Sequence, residues 1–198
     1  IAILLHDIGH SPYSHVLEHT LVEISHEEIS LLLMNKLNND FNGKLDLAIQ
    51  IFKNQYKKHF LHQLVSSQTD MDRLDYLSRD SFFTGVAEGV VGIDRIIKML
   101  NVWHDQLVID NKGIYSIEKF LIARRLMYWQ VYLHKTVVAA EILLINILKR
   151  ARELVIEGEK IFTTPTLDIF LKTRFTLNDF EQNIEVEGKR ILDWFILL

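Results

Sequence analysis

Apolar positions recur along most of the chain at intervals of three and four, and the breaks between these stripes fall on small or polar residues. The apolar run 1–5 predicts a helix ending near Gly9 or His10. Ser11 can cap a second helix with Pro12 at its first position, closing over 22–24. Ser25 caps a third, with Glu27 and Glu28 in its first turn and a stripe of Ile29, Leu32, Leu33 and Leu37. After a polar loop over 38–44, residues 45–52 form a helix. Thr69 can cap the next, with Asp72 at its third helical position and Leu74 and Leu77 toward a core. A short helix follows over 94–100. Residues 106–110 and 113–115 flank Asn111-Lys112-Gly113 and predict a small β-hairpin. Ser116 can then cap a long, mostly apolar helix over about 117–157, closed near Gly158. Thr164-Pro165 opens a short helix, and 176–180 suggests one more. The expected fold is all-α, a helical bundle with one small β-hairpin.

The 198 residues suffice for one domain with a real core and a small appendage, and 48% hydrophobic content with two prolines fits a helix-rich protein. The net charge of −4 provides no global basic field, which argues against nucleic acid or a membrane surface as partner. Absence of cysteine excludes disulfides and thiolate metal sites, so any metal must rest on His, Asp, Glu or water. The longest apolar run, 137–148, contains Glu141 and Asn146 and is too short to span a bilayer. A cytoplasmic location is expected. The chain opens at Ile1 inside an apolar segment and closes on Ile196-Leu197-Leu198, so a fragment is expected.

The densest chemistry lies in His6-Asp7-Ile8-Gly9-His10-Ser11-Pro12-Tyr13-Ser14-His15-Val16-Leu17-Glu18. The adjacent His6 and Asp7 offer nitrogen and oxygen to a borderline or hard divalent metal such as Mn, Fe, Mg or Zn. His10 and His15 stand nearby as cations or proton donors for an anionic substrate. Glu18, three residues after His15 on a helix, can orient its imidazole. A lone histidine is most often a surface or capping residue; five such side chains around a Gly-Ser-Pro break are not explained that way.

A second stretch, 63–85, places Asp72, Tyr76, Arg79 and Asp80 on one side of a helix opposite Leu74 and Leu77. Capping and surface ion pairs are the bland explanation. On the long helix, Arg124, Tyr128, Tyr132 and Lys135 fall within about 80° of arc at 3.6 residues per turn. Such a face could bind phosphate and stack on a base or sugar. Cations snorkelling beside core tyrosines would look the same.

The string HDIGHxxxSHxxE resembles the signature of the HD-domain metal-dependent phosphohydrolases, in particular the deoxynucleoside triphosphate triphosphohydrolase (dGTPase-like) branch. The stretch DxDRLDYxxRDxxxTG over 70–85 resembles a second region of that branch. The resemblance covers roughly residues 1–150. It implies an HD-domain bundle over 1–158 lacking its N-terminal part; the remaining residues, 159–198, carry the least informative pattern and are expected to form a helical extension, a lid or an interface. It makes His6, Asp7 and Asp72 metal ligands, joined by an upstream histidine that would precede Ile1. It places His26, just before an acidic helix start, on the active site with His10, His15 and Glu18. It makes Arg73 a phosphate contact, Tyr76 and Asp80 contacts to the deoxyribose, and Arg124 to Lys135 part of the helix covering the nucleotide; Arg79 is left to a structural ion pair. The implied partners are a deoxynucleoside triphosphate substrate, further copies of the chain and a nucleotide activator. A different phosphoester substrate, or a non-catalytic nucleotide-binding regulatory module, are the alternatives.

Overall fold

The computed structural model describes residues 1–18 and 20–198, the Leu17 side chain excepted. In chain order the helices are α1 (Ala2–Leu5), α2 (His15–Glu18), α3 (His26–Asp40), α4 (Asp46–Phe52), α5 (His59–Gln63), α6 (Met71–Thr84) and α7 (Ile93–Met99). After β1 (Leu100–Trp103) and β2 (Gln106–Ile109) come α8 (Ile114–Met127), α9 (Lys135–Ile156), α10 (Pro165–Lys172) and α11 (Leu177–Glu181). A second small hairpin, β3 (Glu185–Val186) and β4 (Lys189–Arg190), precedes α12 (Ile191–Leu197). The fold is all-α, as expected, with two hairpins among the described residues where one was foreseen. No single helix among them is long and apolar enough to cross a membrane.

The chain divides into two compact units. The first comprises residues 1–3 and 46–138. Its core is Leu74 and Leu77 of α6, Val91, Ile96 of α7, and Phe120, Ala123 and Met127 of α8. Gly89 is required there, because a Cβ would lie 2.7 Å from both Met127 Sδ and Ser81 Cβ. The hairpin is not the expected one. Leu100 pairs with Ile109 and Trp103 with Gln106, around a turn at His104 and Asp105. Both turn residues have positive φ, 47° and 60°, as the tight hairpin turn requires, and His and Asp tolerate that region. Asn111–Gly113 instead forms a 3-10 turn that leads into α8.

The long helix foreseen over 117–157 is also interrupted. Tyr128–Tyr132 is a π-helical turn, closed by Leu133 N donating to Tyr128 O at 2.7 Å, and α9 restarts at Lys135. Arg124, Tyr128, Tyr132 and Lys135 therefore do not form one regular stripe. The extra residue in the turn sits where the Tyr132 phenol donates to Asp80 Oδ2 at 2.7 Å.

The second unit comprises residues 4–45 and 139–198. Ser25 and Glu28 form the expected capping box at the head of α3, which buries Ile29, Leu33 and Met34. Residues from 159 onward supply this unit's aromatic core. Phe170, Phe175, Phe180 and Phe195 meet edge to face in a closed series with centroids 5.5 to 6.4 Å apart. They pack with Leu21, Val22, Ile24, Ile29 and Leu33. Thr164 caps α10 ahead of Pro165, and Thr176 with Asp179 boxes α11, as expected. Arg152 of α9 is buried and donates to the carbonyls of Thr20 (2.8 Å), Leu21 (3.1 Å) and Phe170 (2.8 Å). It thereby ties the chain beyond α2 to α10.

Candidate active site

The His-Asp motif occupies a turn, not a helix end. α1 stops at Leu5, and Gly9 brings the backbone against the first turns of α3, where its N–H donates to Ser30 Oγ at 2.9 Å. A Cβ at Gly9 would stand 2.2 Å from His26 O and 2.4 Å from Ser30 N. Ser11 does not cap a helix. Tyr13 and Ser14 take left-handed backbone angles, φ 60° and 47°, and α2 begins only at His15. Non-glycine residues held in that region cost about 1–3 kcal/mol and persist where the surroundings demand them. Here the strained pair turns His15 back toward His10.

Four of the foreseen catalytic residues come together in this unit. His10 and His26 stack with centroids 3.9 Å apart, and His15 meets them edge-on at 4.8 and 5.2 Å. Glu18 lies between two of the imidazoles. Its Oε2 is 2.9 Å from His15 Nδ1, and its Oε1 is 2.8 Å from His26 Nδ1 and accepts the His26 backbone N–H at 2.7 Å. A small cavity beside them is lined by Gly9, His10, Glu18, Val22, His26 and Phe195. His6 Nε2 lies 3.3 Å from Asp7 Oδ1, and His10 Nε2 lies 3.8 Å from the same oxygen. This nitrogen and oxygen pair is a donor set that suits a divalent ion.

Burial alone would raise the Glu18 pKa, but the hydrogen bonds from the His15 ring and from the His26 backbone and ring outweigh it and bring the group down to about 2. Burial pushes His10 below its ordinary value, the neighbouring His26 adds to that, and Asp7 opposes it. The Glu18 shift has a consequence for folding. A carboxyl whose pKa falls on folding stabilises the folded state above its ordinary value of 4.5 and loses that contribution as pH drops toward about 2. Denaturant titrations between about pH 5 and about pH 3 are expected to show an acid-side loss of stability that is shallower in Glu18→Gln. Parallel curves for the two proteins would overturn this role.

The remaining foreseen residues lie in the first unit. Asp72 is in the first turn of α6, half-buried. The helix is capped not by Thr69 but by Asp70, whose side chain accepts from Arg73 N at 2.8 Å. Tyr76 and Tyr132 meet edge to face at 6.0 Å, and Tyr132 and Tyr128 at 5.2 Å. Burial, then the hydrogen bond to Asp80, raises the Tyr132 phenol pKa, so it stays a donor. Arg124 donates to Gln68 Oε1 at 2.9 Å and lies over Tyr128. Lys135 is exposed at the start of α9. Arg79 makes its expected ion pair, donating from Nε to Asp75 at 2.9 Å. Two residues were not foreseen. Ser30 reads as an ordinary helical serine. Asp70 is nearly fully buried and holds Arg73; its place before α6, at the head of the quoted 70–85 stretch, was the sign available for it.

Residues 91–180 match the model of the HD associated region. A crystal structure of a phosphohydrolase from Bacteroides thetaiotaomicron superposes with a TM-score of 0.93 at 61% identity, covering 100% of this chain and 48% of that one. Over 91–180 the chain thus carries the HD associated region, and its fold is that of this phosphohydrolase. An uncharacterized Bacillus subtilis protein, YwfO, is 34% identical over 98% of this chain and 46% of its own length. A Dictyostelium discoideum protein named as a deoxynucleoside triphosphate triphosphohydrolase SAMHD1 homolog is 27% identical over 68% of this chain and 30% of its own. The chain thus spans under half the length of each of these relatives. The His-Asp turn at 6–10 and the Glu18-centred histidines precede the matched associated region, which begins in the first unit's core at Val91.

Proposed function

We propose that the protein is a metal-dependent phosphohydrolase that cleaves deoxynucleoside triphosphates to deoxynucleoside and inorganic triphosphate. The observation that carries this reading is Glu18 holding His15 and His26 through separate oxygens beside the His-Asp turn. The names of the Bacteroides and Dictyostelium relatives support the reaction class and the substrate respectively.

The donor chemistry of His6 and Asp7 fits a divalent ion, and the resemblance adds Asp72 and a histidine upstream of Ile1. Such an ion, Mn, Mg, Fe or Zn, would supply positive charge for the phosphates and would make a water more acidic. The protein's own groups then act as follows. Water attacks the α-phosphorus and releases a proton to solvent, and the bond from phosphorus to the 5′ oxygen breaks. His15, held at Nδ1 by Glu18, presents its Nε2 edge and gives the departing oxygen a proton. His26 and Arg73 face the charge on the phosphates, and His10, whose burial favours the neutral ring, can donate a hydrogen bond to them. Tyr76 and Asp80 receive the deoxyribose, and Arg124, Tyr128, Tyr132 and Lys135 cover the nucleotide. A cytoplasmic location belongs to the same reading. Self-association and a nucleotide activator belong to the same reading, and the exposed Ile142, Leu143 and Ile147 of α9 support a face for a second copy.

The test is to incubate the full-length protein with Mn2+ or Mg2+ and each of the four deoxynucleoside triphosphates, singly and mixed, and to identify the phosphate released. Inorganic triphosphate with deoxynucleoside is expected. Orthophosphate or pyrophosphate would keep the phosphohydrolase and discard the bond assignment. No turnover with metal bound, even in the mixture, would favour a regulatory nucleotide-binding module.

A further inference from the structure

Asp70 is 2% exposed at the head of α6 and accepts from three donors, two backbone N–H groups and one guanidinium. Ser67 N–H donates to its Oδ2 at 2.9 Å, Arg73 N–H to its Oδ1 at 2.8 Å, and the Arg73 guanidinium, through Nη1, to its Oδ2. The same Nη1 donates to the Ser67 carbonyl. Backbone and side chain of Arg73 are thus held by one buried carboxylate. Capping alone does not account for this. Ser or Asn would satisfy the Arg73 N–H equally well, and neither would bring a charge into the interior. A buried carboxylate is costly unless it is paired, so an aspartate here has meaning chiefly through the guanidinium.

The geometry of that pairing is informative. A guanidinium is a rigid plane with donors along its edges. Both recorded bonds run through Nη1, so one corner of the plane is anchored to the loop at Ser67 and to the helix cap, and the direction of the remaining edge follows. The Arg73 side chain is 29% exposed, so it is neither sealed in the core nor loose on the surface. Holding a long side chain in one orientation before a ligand arrives removes much of the entropy cost of ordering it.

We propose that Asp70 is a positioning residue that presents the free edge of Arg73 to the phosphates of the substrate. This rests on the proposed function, in which Arg73 meets phosphate. Asp70 also lowers the net charge at the site, so it trades non-specific attraction for direction. Unpaired, Arg73 would attract any anion but grip a polyphosphate less well.

The test is a double-mutant cycle in the full-length protein with Asp70→Asn, Arg73→Met and both together. The readouts are the Kd for inorganic tripolyphosphate by calorimetry at fixed Mn2+, and kcat and KM for a deoxynucleoside triphosphate. Asp70→Asn is expected to raise the tripolyphosphate Kd and the nucleotide KM about tenfold while kcat changes less, and to do almost nothing in the Arg73→Met background. Asp70→Ser, which keeps a cap but no charge, should match Asp70→Asn and guards against one variant misfolding. Additive losses, or a Kd unchanged or tightened by Asp70→Asn, would sink the proposal and leave the phosphohydrolase reading intact. A wild-type protein that neither binds tripolyphosphate nor hydrolyses nucleotide would overturn that reading and this proposal together.

Discussion

Gly9→Ala is expected to destabilise the second unit by about 1–3 kcal/mol or more and to lower turnover by roughly 100-fold. The new Cβ would lie 2.2 Å from the His26 carbonyl oxygen and 2.4 Å from the Ser30 nitrogen. These are backbone atoms in the first turns of α3, and no rotamer change moves them aside. Nor can α3 easily give way. Its head is boxed by Ser25 and Glu28, and it is buried through Ile29, Leu33 and Met34. The turn carrying His6, Asp7 and His10 must therefore shift instead. That shift breaks the bond from Gly9 N to Ser30 Oγ and unstacks His10 from His26. A displacement of about 1 Å at reacting groups costs on the order of 100-fold in rate. Ser30→Ala separates the two components, since it removes only the acceptor and should cost about 1 kcal/mol. Thermal unfolding and turnover of both variants check the argument. A Gly9→Ala protein with wild-type midpoint and rate would show that the close approach is not required.

The features legible in the sequence were those decided locally. Ser25 with Glu28, Thr164 before Pro165, and Thr176 with Asp179 all cap the helices they were expected to cap. Leu74 and Leu77 fall in the core because their spacing on α6 depends on helical periodicity alone. The foreseen pairing of His15 with Glu18 is a three-residue relation of the same kind. What escaped depends on partners far away in the chain. Thr69 and Asp70 are equally good caps by residue type, and burial of Asp70 against Ser67 and Arg73 decides between them. Asn111-Lys112-Gly113 has turn composition, yet the chain turns at His104-Asp105, where Leu100–Trp103 finds its partner strand. The π turn at Tyr128–Tyr132 accompanies a bond between Tyr132 and Asp80, residues 52 apart, and no helical pattern encodes it. The second bond of Glu18, to His26, and the seat of Gly9 on α3 are likewise tertiary. Motif spacing therefore singled out the histidines that the fold brings together, but not the geometry that couples them.

Among those histidines, His15→Ala is expected to lower turnover by about 100- to 10,000-fold while leaving metal content near wild type. In the proposed mechanism His15 is taken as the acid because of its surroundings. His10 and His26 side chains are only 18% and 17% exposed and stack on each other, so they are built into the wall of the site. The His15 side chain is 73% exposed, and Glu18 fixes its Nδ1, which leaves Nε2 as the edge a leaving oxygen can reach. Removing an exposed ring leaves little cavity, so the cost in stability should be limited to the hydrogen bond that buried Glu18 loses, about 1 kcal/mol. Glu18→Gln is the sharper companion. Glu18 accepts from three donors, two of them on Oε1, and an amide offers one oxygen and one NH2 group. If the amide oxygen serves His26, its NH2 faces His15 Nδ1, and the imidazolium loses its anion. If it turns the other way, the His26 backbone and ring face a donor. Either arrangement should depress kcat nearly as far as His15→Ala, with metal content unchanged. The double variant should be no worse than the worse single one, because residues acting as a unit are not additive. Substantial turnover in His15→Ala would remove the acid role from this residue. A Glu18→Gln protein with a normal rate would show that the carboxylate's charge is not what readies His15.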